Sequence, residues 1–358
     1  MLAPDCTLVT ACFDLSRYHG SARSVENTLA GMRHLLCLPV HLAVFGTPHL
    51  IAKIREERAS FGYAKLTYLR ECEYEDIWSA QFTEKVRANR EKYWPTRDAR
   101  TCPESHLVCC NKFDFVLTAM EVNPFGTSKY GWIDSNLEVG HAENIKIGRS
   151  YTKNMIPMAL AYADPRKFHI QVMGCVDKKY KEKAHKAECY EHYRWLVCGC
   201  LFVCGVEVGG KILRRLKELV TETTQSGYGH GEEMFYLEVL DEFRGDIRKS
   251  YGDYGEILNN FMHVTTNVWY VYHTILVPCL NMGYYEDAVD CAERLIETCE
   301  GHHLTEGVDY GLYISSMRLC YYALQNLDQT KASALYGKME RLAEVDGKFK
   351  EGLRGYVA

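Results

Sequence analysis

The sequence predicts an α/β protein with a Rossmann-like, mostly parallel central sheet over residues 1–264 and a helical region over 265–358. Three observations predict it. Short apolar, β-branched runs alternate with helix-periodic segments over the first seventy residues, and that order builds parallel sheets with helices on both faces. A further apolar segment, Arg194–Val206, reads as one long buried strand or a strand pair. From Thr265 onward the period becomes helical throughout.

Thr7-Leu8-Val9-Thr10-Ala11-Cys12-Phe13 reads as a buried first strand, and Asp14 and Arg17 follow in a polar turn. Val25, Leu29, Met32 and Leu36 fall at helical spacing, so Ser24–Leu36 reads as a helix. Pro39–Phe45 is the second strand, closed by Gly46 and Pro48, and His49–Ser60 is a charged helix. Ala64–Leu69 is the third strand, and the Trp- and Arg-rich stretch from Glu73 to Arg100 reads as irregular helix and loop. Lys112–Val122 is a helix that stops at the turn residues Asn123-Pro124-Phe125-Gly126, ahead of the strand Tyr130–Ile133. Val176–Glu188 reads as a lysine-rich helix, and Arg194–Val206 as one long strand or a strand pair. Gly209-Gly210 is expected to break the chain before a helix over Lys211–Thr223. The loop Gly227–Gly231 leads into Glu232-Glu233 and a helix over Met234–Phe243. Four helical segments follow, Val268–Leu280, Tyr285–Cys299, Gly311–Gln325 and Thr330–Val345, with spacings like those of tetratricopeptide helix pairs but too few for an array.

Composition excludes several classes. A net charge of −5 with both signs spread along the chain does not make a nucleic-acid partner. The Met1–Asp5 start lacks a basic segment, and Trp195–Val208 falls short of the roughly 20 apolar residues of a bilayer span. The expectation is therefore a soluble chain without a transmembrane segment. Sixteen cysteines in irregular positions, several inside apolar runs, suit a reduced, cytoplasmic setting better than a disulfide framework or structural zinc.

Ligands of open parallel sheets bind beyond the carboxyl ends of strands. The first strand end offers Thr10, Ala11, Asp14 and Arg17. The end of Tyr130–Ile133 offers Asp134-Ser135-Asn136. Residues i and i+2 of an extended segment share a side, so Asp134 and Asn136 can face one hard cation, Mg²⁺ or Mn²⁺, that also takes substrate phosphates. An Asx-turn is the plain alternative. His230, His263 and His273 are candidate third ligands, with His263 best placed, although a single histidine is usually just a satisfied polar residue. Lys112 can approach a phosphate and Asp114 a sugar hydroxyl, against the alternative of a solvated helix face. Glu232 and Glu233 follow a glycine-rich loop and can serve as general base, or simply favour a helix start through its dipole. The lysines between 178 and 186 can meet an acceptor phosphate or be a solvated face.

Taken together, Thr7–Asp14, Asn123-Pro124-Phe125 leading to Trp132-Ile133-Asp134, Gly231-Glu232-Glu233-Met234, and Tyr251-Gly252-Asp253-Tyr254 with Asn259-Asn260-Phe261 resemble the HtrL/YibB family. That family is related to glycosyltransferases of the GT-A fold. The resemblance runs over roughly residues 5 to 300. It implies a metal-dependent transferase that moves a sugar from a nucleotide-sugar donor to a glycan or protein acceptor. The donor expected is a UDP-sugar, with UDP-glucose the first choice, and the cofactor is Mn²⁺ or Mg²⁺. Asp134 would take the metal-binding acidic role, with Asn136 and His263 completing the shell, and the first strand end would hold the nucleotide. The pattern departs from Asp-x-Asp at Asn136, a neutral oxygen in place of a charged one. A catalytically silent sugar-nucleotide-binding or scaffold protein, using the helical region for a protein partner, is the alternative. A hydrolase of nucleotide-sugars is the third reading.

Overall fold

A computed structural model of the chain describes residues 5–19, 25–92, 102–135, 137, 149–192, 194–229, 231–254, 257–262, 267–301 and 308–354. Its seven strands are β1 (Thr7–Cys12), β2 (His41–Gly46), β3 (Thr67–Glu71), β4 (Lys129–Ile133), β5 (Phe168–Val172), β6 (Val197–Gly205) and β7 (Ile247–Tyr251). They form one sheet in the order β3-β2-β1-β4-β6-β5-β7. β1 runs parallel to β2 and β4, β2 runs parallel to β3, and β6 lies antiparallel beside β4. The expected class, an α/β fold with a mostly parallel central sheet and a helical C-terminal region, is what the chain adopts.

The chain divides into two compact units, Met1–Gln171 with Lys179–Lys249, and Val172–Lys178 with Ser250–Ala358. In the first unit every residue of β1, β4 and β6 is buried, which explains why these strands are mostly apolar on both faces. β3 is partly exposed, as a strand at the sheet's edge should be.

Two buried cations tie this unit together. Arg58, on the helix Pro48–Ser60, is fully buried. It donates to the carbonyls of Leu36, Leu38, Val40 and Leu66 and, through Nε, to Thr67 Oγ1 at 2.7 Å. Leu36 ends the helix Val25–Leu36, whose last carbonyls have no partner within the helix. Lys129 does similar work at the base of β4, donating to the carbonyls of Leu160 and Ala163.

Asn123 ends the helix Lys112–Val122 in the left-handed conformation, at φ +43°, a role asparagine tolerates better than most residues. Its Oδ1 accepts a hydrogen bond from the Tyr130 hydroxyl at 2.6 Å. The Asn-Pro-Phe turn thus pins the helix to β4, the strand that ends at Asp134.

Some sequence expectations need correction. Gly209-Gly210 does not break the chain, because one helix runs from Val206 to Gln225 through both glycines. A Cβ on Gly209 would lie 2.5 Å from Cys204 Sγ and 2.9 Å from Met120 Cε, so the missing side chain permits close packing rather than a turn. Val176–Glu188 is not one helix but two short 3₁₀ turns, Lys178–Lys181 and Lys183–His185, ahead of a helix over Lys186–Glu191. Lys179 and Lys183 would repel one another at i,i+4 on a helix, and Lys179 pairs instead with Glu188. The third strand begins at Thr67, after a 3₁₀ turn over Ala64–Leu66. β5 and β7 have no counterpart in the sequence reading.

The second unit holds helices Tyr285–Gly301, Val308–Gln325, Gln329–Val345 and Gly347–Arg354, with Ala288, Cys291, Ala292, Leu295, Leu312 and Met317 in its core. The segment expected as one helix over Val268–Leu280 contains a π turn at Tyr272–Leu276. Pro278 has no N–H to return to the carbonyl four residues before it, and the wider turn accommodates that loss. None of the sixteen cysteines forms a disulfide. Among the described residues, no helix is long and apolar enough to cross a membrane.

Candidate functional site

The chain leaves β1 toward β2 and β3 on one side and returns to place β4 on the other. The boundary between β1 and β4 is therefore the topological switch point, where α/β sheets bind ligands beyond their strand ends. Val9 pairs with Trp132, and continuing that register by two residues sets Ala11 level with Asp134. The ends of both strands therefore lie side by side.

Asp134 begins where β4 stops. Its N–H donates to the Cys200 carbonyl of β6 at 2.9 Å, which fixes the backbone at the sheet's edge. Its carboxylate is 39% exposed. Oδ1 accepts from Trp132 Nε1 at 2.6 Å and lies 3.4 Å from Lys112 Nζ. Oδ2 has no hydrogen bond among the described residues. Trp132 and Asp134 point the same way because they are two residues apart on extended chain.

Lys112 is not on a solvated face: it is fully buried. Nζ donates to Glu232 Oε1 at 2.5 Å and to the Gly199 carbonyl at 3.0 Å, and lies 5.4 Å from the centre of the Trp132 ring. Burial alone would lower its pKa, but the carboxylates of Asp134 and Glu232 outweigh that and hold the ammonium well above its ordinary value. The site depends on Gly199, because a Cβ there would lie 3.0 Å from Tyr236 Cε2 and 3.2 Å from Glu232 Oε1. Asp114 sits two residues on, about 200° around the helix, and pairs with Lys217 instead.

Glu232 and Glu233 open the helix Glu233–Glu242. Glu232 is buried in its ion pair with Lys112. Glu233 is partly exposed, but its Oε2 is buried and has no partner among the described residues. Burial, then the neighbouring Glu232 charge, pushes its carboxyl up to about 8. The Tyr236 hydroxyl one turn along is likewise buried and unpartnered.

At the end of β1, Thr10 is fully buried with an unpartnered Oγ1, and Ala11 is buried beside it. Asp14 accepts from the Ser16 N–H, which with the nearby His49 keeps its carboxyl below the usual range. Arg17 is half exposed and pairs with Glu75 at 2.6 Å. The described part of the site therefore gathers Lys112, Asp134, Glu232 and Glu233, with Thr10 and Ala11 on the adjoining strand, and leaves Asp114 facing elsewhere. Asn136, His230 and His263 lie outside the described residues. His273 is in the second unit, stacked on Trp269. Sequence reading missed Trp132 and Gly199 as parts of the site. Trp132 could have been found, since it shares Asp134's side of the strand, whereas nothing in the sequence joins Gly199 to Lys112, 87 residues away.

As to a metal, the exposed carboxylate oxygen of Asp134 suits a hard cation. Among the described residues no group of three histidine, cysteine or acidic side chains could hold one, so the remaining ligands would have to come from substrate, water or residues beyond those described.

Residues 4–170 match the model of the HtrL_YibB family, whose members are bacterial proteins of unknown function. That stretch, which holds β1, the Asn-Pro-Phe turn and Asp134, is similar to the family; Glu232 and Glu233 fall outside it. No curated protein matches the chain. Among solved structures, the crystal structure of mouse xyloside xylosyltransferase 1, apo form, aligns at 8% identity with a TM-score of 0.35. The alignment covers 73% of this chain and 94% of that one, but the TM-score is too low to establish a shared fold.

Proposed function

We propose that the chain is a metal-dependent glycosyltransferase of the GT-A kind, acting on a nucleotide-sugar donor. One observation carries this reading: a half-exposed carboxylate with one free oxygen, Asp134, stands at the end of β4, at the switch point of a mostly parallel sheet. The donor is a UDP-sugar, with UDP-glucose the first choice, and the acceptor a glycan or protein.

Asp134 would hold Mn²⁺ or Mg²⁺, together with Asn136, two residues on in the same segment. When bound, such an ion neutralises charge on a departing diphosphate. The ends of β1, with Thr10, Ala11, Asp14 and Arg17, would hold the nucleotide. Lys112 acts electrostatically from within rather than by touching the donor, because it is fully enclosed. If transfer inverts the anomeric centre, Glu233 is the better of the two bases. Its carboxyl titrates near working pH, as an efficient base requires, while Glu232 is engaged by Lys112. Glu233 would take the acceptor hydroxyl proton as the new bond to the anomeric carbon forms and the bond to the diphosphate oxygen breaks.

Incubation with UDP-sugars, Mn²⁺ and candidate acceptors, followed by assay of UDP, tests the reading. Release that needs acceptor and disappears with EDTA and in Asp134→Ala is the expected result. Acceptor-independent release would make the chain a hydrolase. Binding of UDP and Mn²⁺ without any release would make it a silent binding protein. Neither release nor a thermal shift with UDP plus Mn²⁺ would remove the nucleotide-sugar reading altogether.

A further inference from the structure

We infer that Lys112 is a positioning residue that decides which oxygen of Asp134 is offered outward. This inference rests on the metal-site reading above and concerns how that site is held.

A carboxylate at a strand end can rotate and present either oxygen, or both. Here Oδ1 is taken from two directions. Trp132 Nε1 donates to it at 2.6 Å from the same strand, and Lys112 Nζ approaches at 3.4 Å from the helix behind. Oδ2 is left without a hydrogen bond among the described residues, on a side chain that is 39% exposed. The carboxylate is thereby set to offer one oxygen.

Lys112 can do this only because it is held in place. Its ammonium has three donors, and the geometry supplies three acceptors: Glu232 Oε1 at 2.5 Å, the Gly199 carbonyl at 3.0 Å and Asp134 Oδ1. Glu232 comes from the helix start 120 residues away, and Gly199 from the middle of β6. Two separate elements thus hold one nitrogen, which in turn holds Asp134. Two carboxylates against one ammonium leave the trio one negative charge in excess, the sign that attracts a cation.

Partners that orient a metal ligand typically change metal affinity by about 10- to 100-fold when removed. The test measures Mn²⁺ affinity directly, by the electron paramagnetic resonance signal of free Mn²⁺, on the full chain. Lys112→Met combined with Glu232→Gln removes both buried charges together, so the fold keeps no unpaired ion. This double variant should fold and bind Mn²⁺ at least about 10-fold more weakly than the wild type. Glu232→Gln alone also weakens Mn²⁺, since Lys112 then faces Asp134 with no second carboxylate; this variant decides the matter if the double one fails to fold. Wild-type Mn²⁺ affinity in both variants, with binding lost in Asp134→Ala, would overturn the positioning role and leave Asp134 as the ligand. Unchanged binding in Asp134→Ala would instead overturn the metal-site reading itself. A role confined to stability would lower the melting temperature of the double variant without moving its Mn²⁺ affinity.

Discussion

Arg58 and Lys112 are both fully buried cations in the same unit, yet they are held by opposite means. Arg58 is surrounded by neutral oxygens: four backbone carbonyls and one hydroxyl. Among the described residues no carboxylate answers its charge, and burial pushes its pKa down to about 10. Lys112 has one carbonyl and two carboxylates, and its pKa moves the other way. Neutral acceptors close a structural joint around a cation and leave no negative oxygen to offer a ligand. Carboxylates do something else: they keep one negative oxygen facing outward, at Asp134. The first arrangement belongs to the frame, the second to a site.

The comparison breaks most visibly at Arg58. Arg58→Met strips a donor from three buried carbonyls and one partly buried one; at about 1–3 kcal/mol for each buried carbonyl left unpaired, a loss of roughly 3–9 kcal/mol is expected. Urea unfolding should show it, and a loss of that size can exhaust the whole stability of a domain. Lys112→Met should cost somewhat less, about 3–5 kcal/mol, because it leaves Glu232 buried and unpaired. The same melt should show most of that stability returning when Glu232→Gln is added. Full stability in Lys112→Met alone would mean that the two carboxylates do not need the ammonium.

A smaller effect sharpens the electrostatics. Glu233 is pushed up to about 8 in the folded chain, well above its ordinary 4.5. Between those values the folded state keeps a proton that the unfolded state releases, so its contribution to stability is full at low pH and falls as pH rises through that window. Glu233→Gln should flatten this slope in denaturation curves taken from pH 5 to 9. An unchanged slope would show that some other group causes it. If Glu233 is the base, the wild-type rate should rise with pH toward 8, and the variant should lose that limb.

The frame was more legible in the sequence than the site. β1, β2 and β4 are continuous apolar runs between turn residues, and buried parallel strands look like that whatever surrounds them. β5 was missed because His169 and Gln171 interrupt its apolar residues, although both are buried. The glycine pair at 209–210 misled because local propensity says nothing about Cys204 and Met120 pressing against the helix. Asp134 could be singled out, since strand ends and acidic turns are local features. That Lys112 is buried against Glu232 could not, because the pair spans 120 residues and exists only once the sheet and two helices meet. A lysine in a helical pattern reads as solvated until the fold shows what covers it.

The most direct test of the central claim is calorimetric binding of UDP, with and without Mn²⁺, to the wild type and to Asp134→Ala. The account predicts UDP binding that requires Mn²⁺ in the wild type and is lost in the variant, with both proteins equally folded. Equal UDP binding by the two proteins in the presence of Mn²⁺ would contradict it.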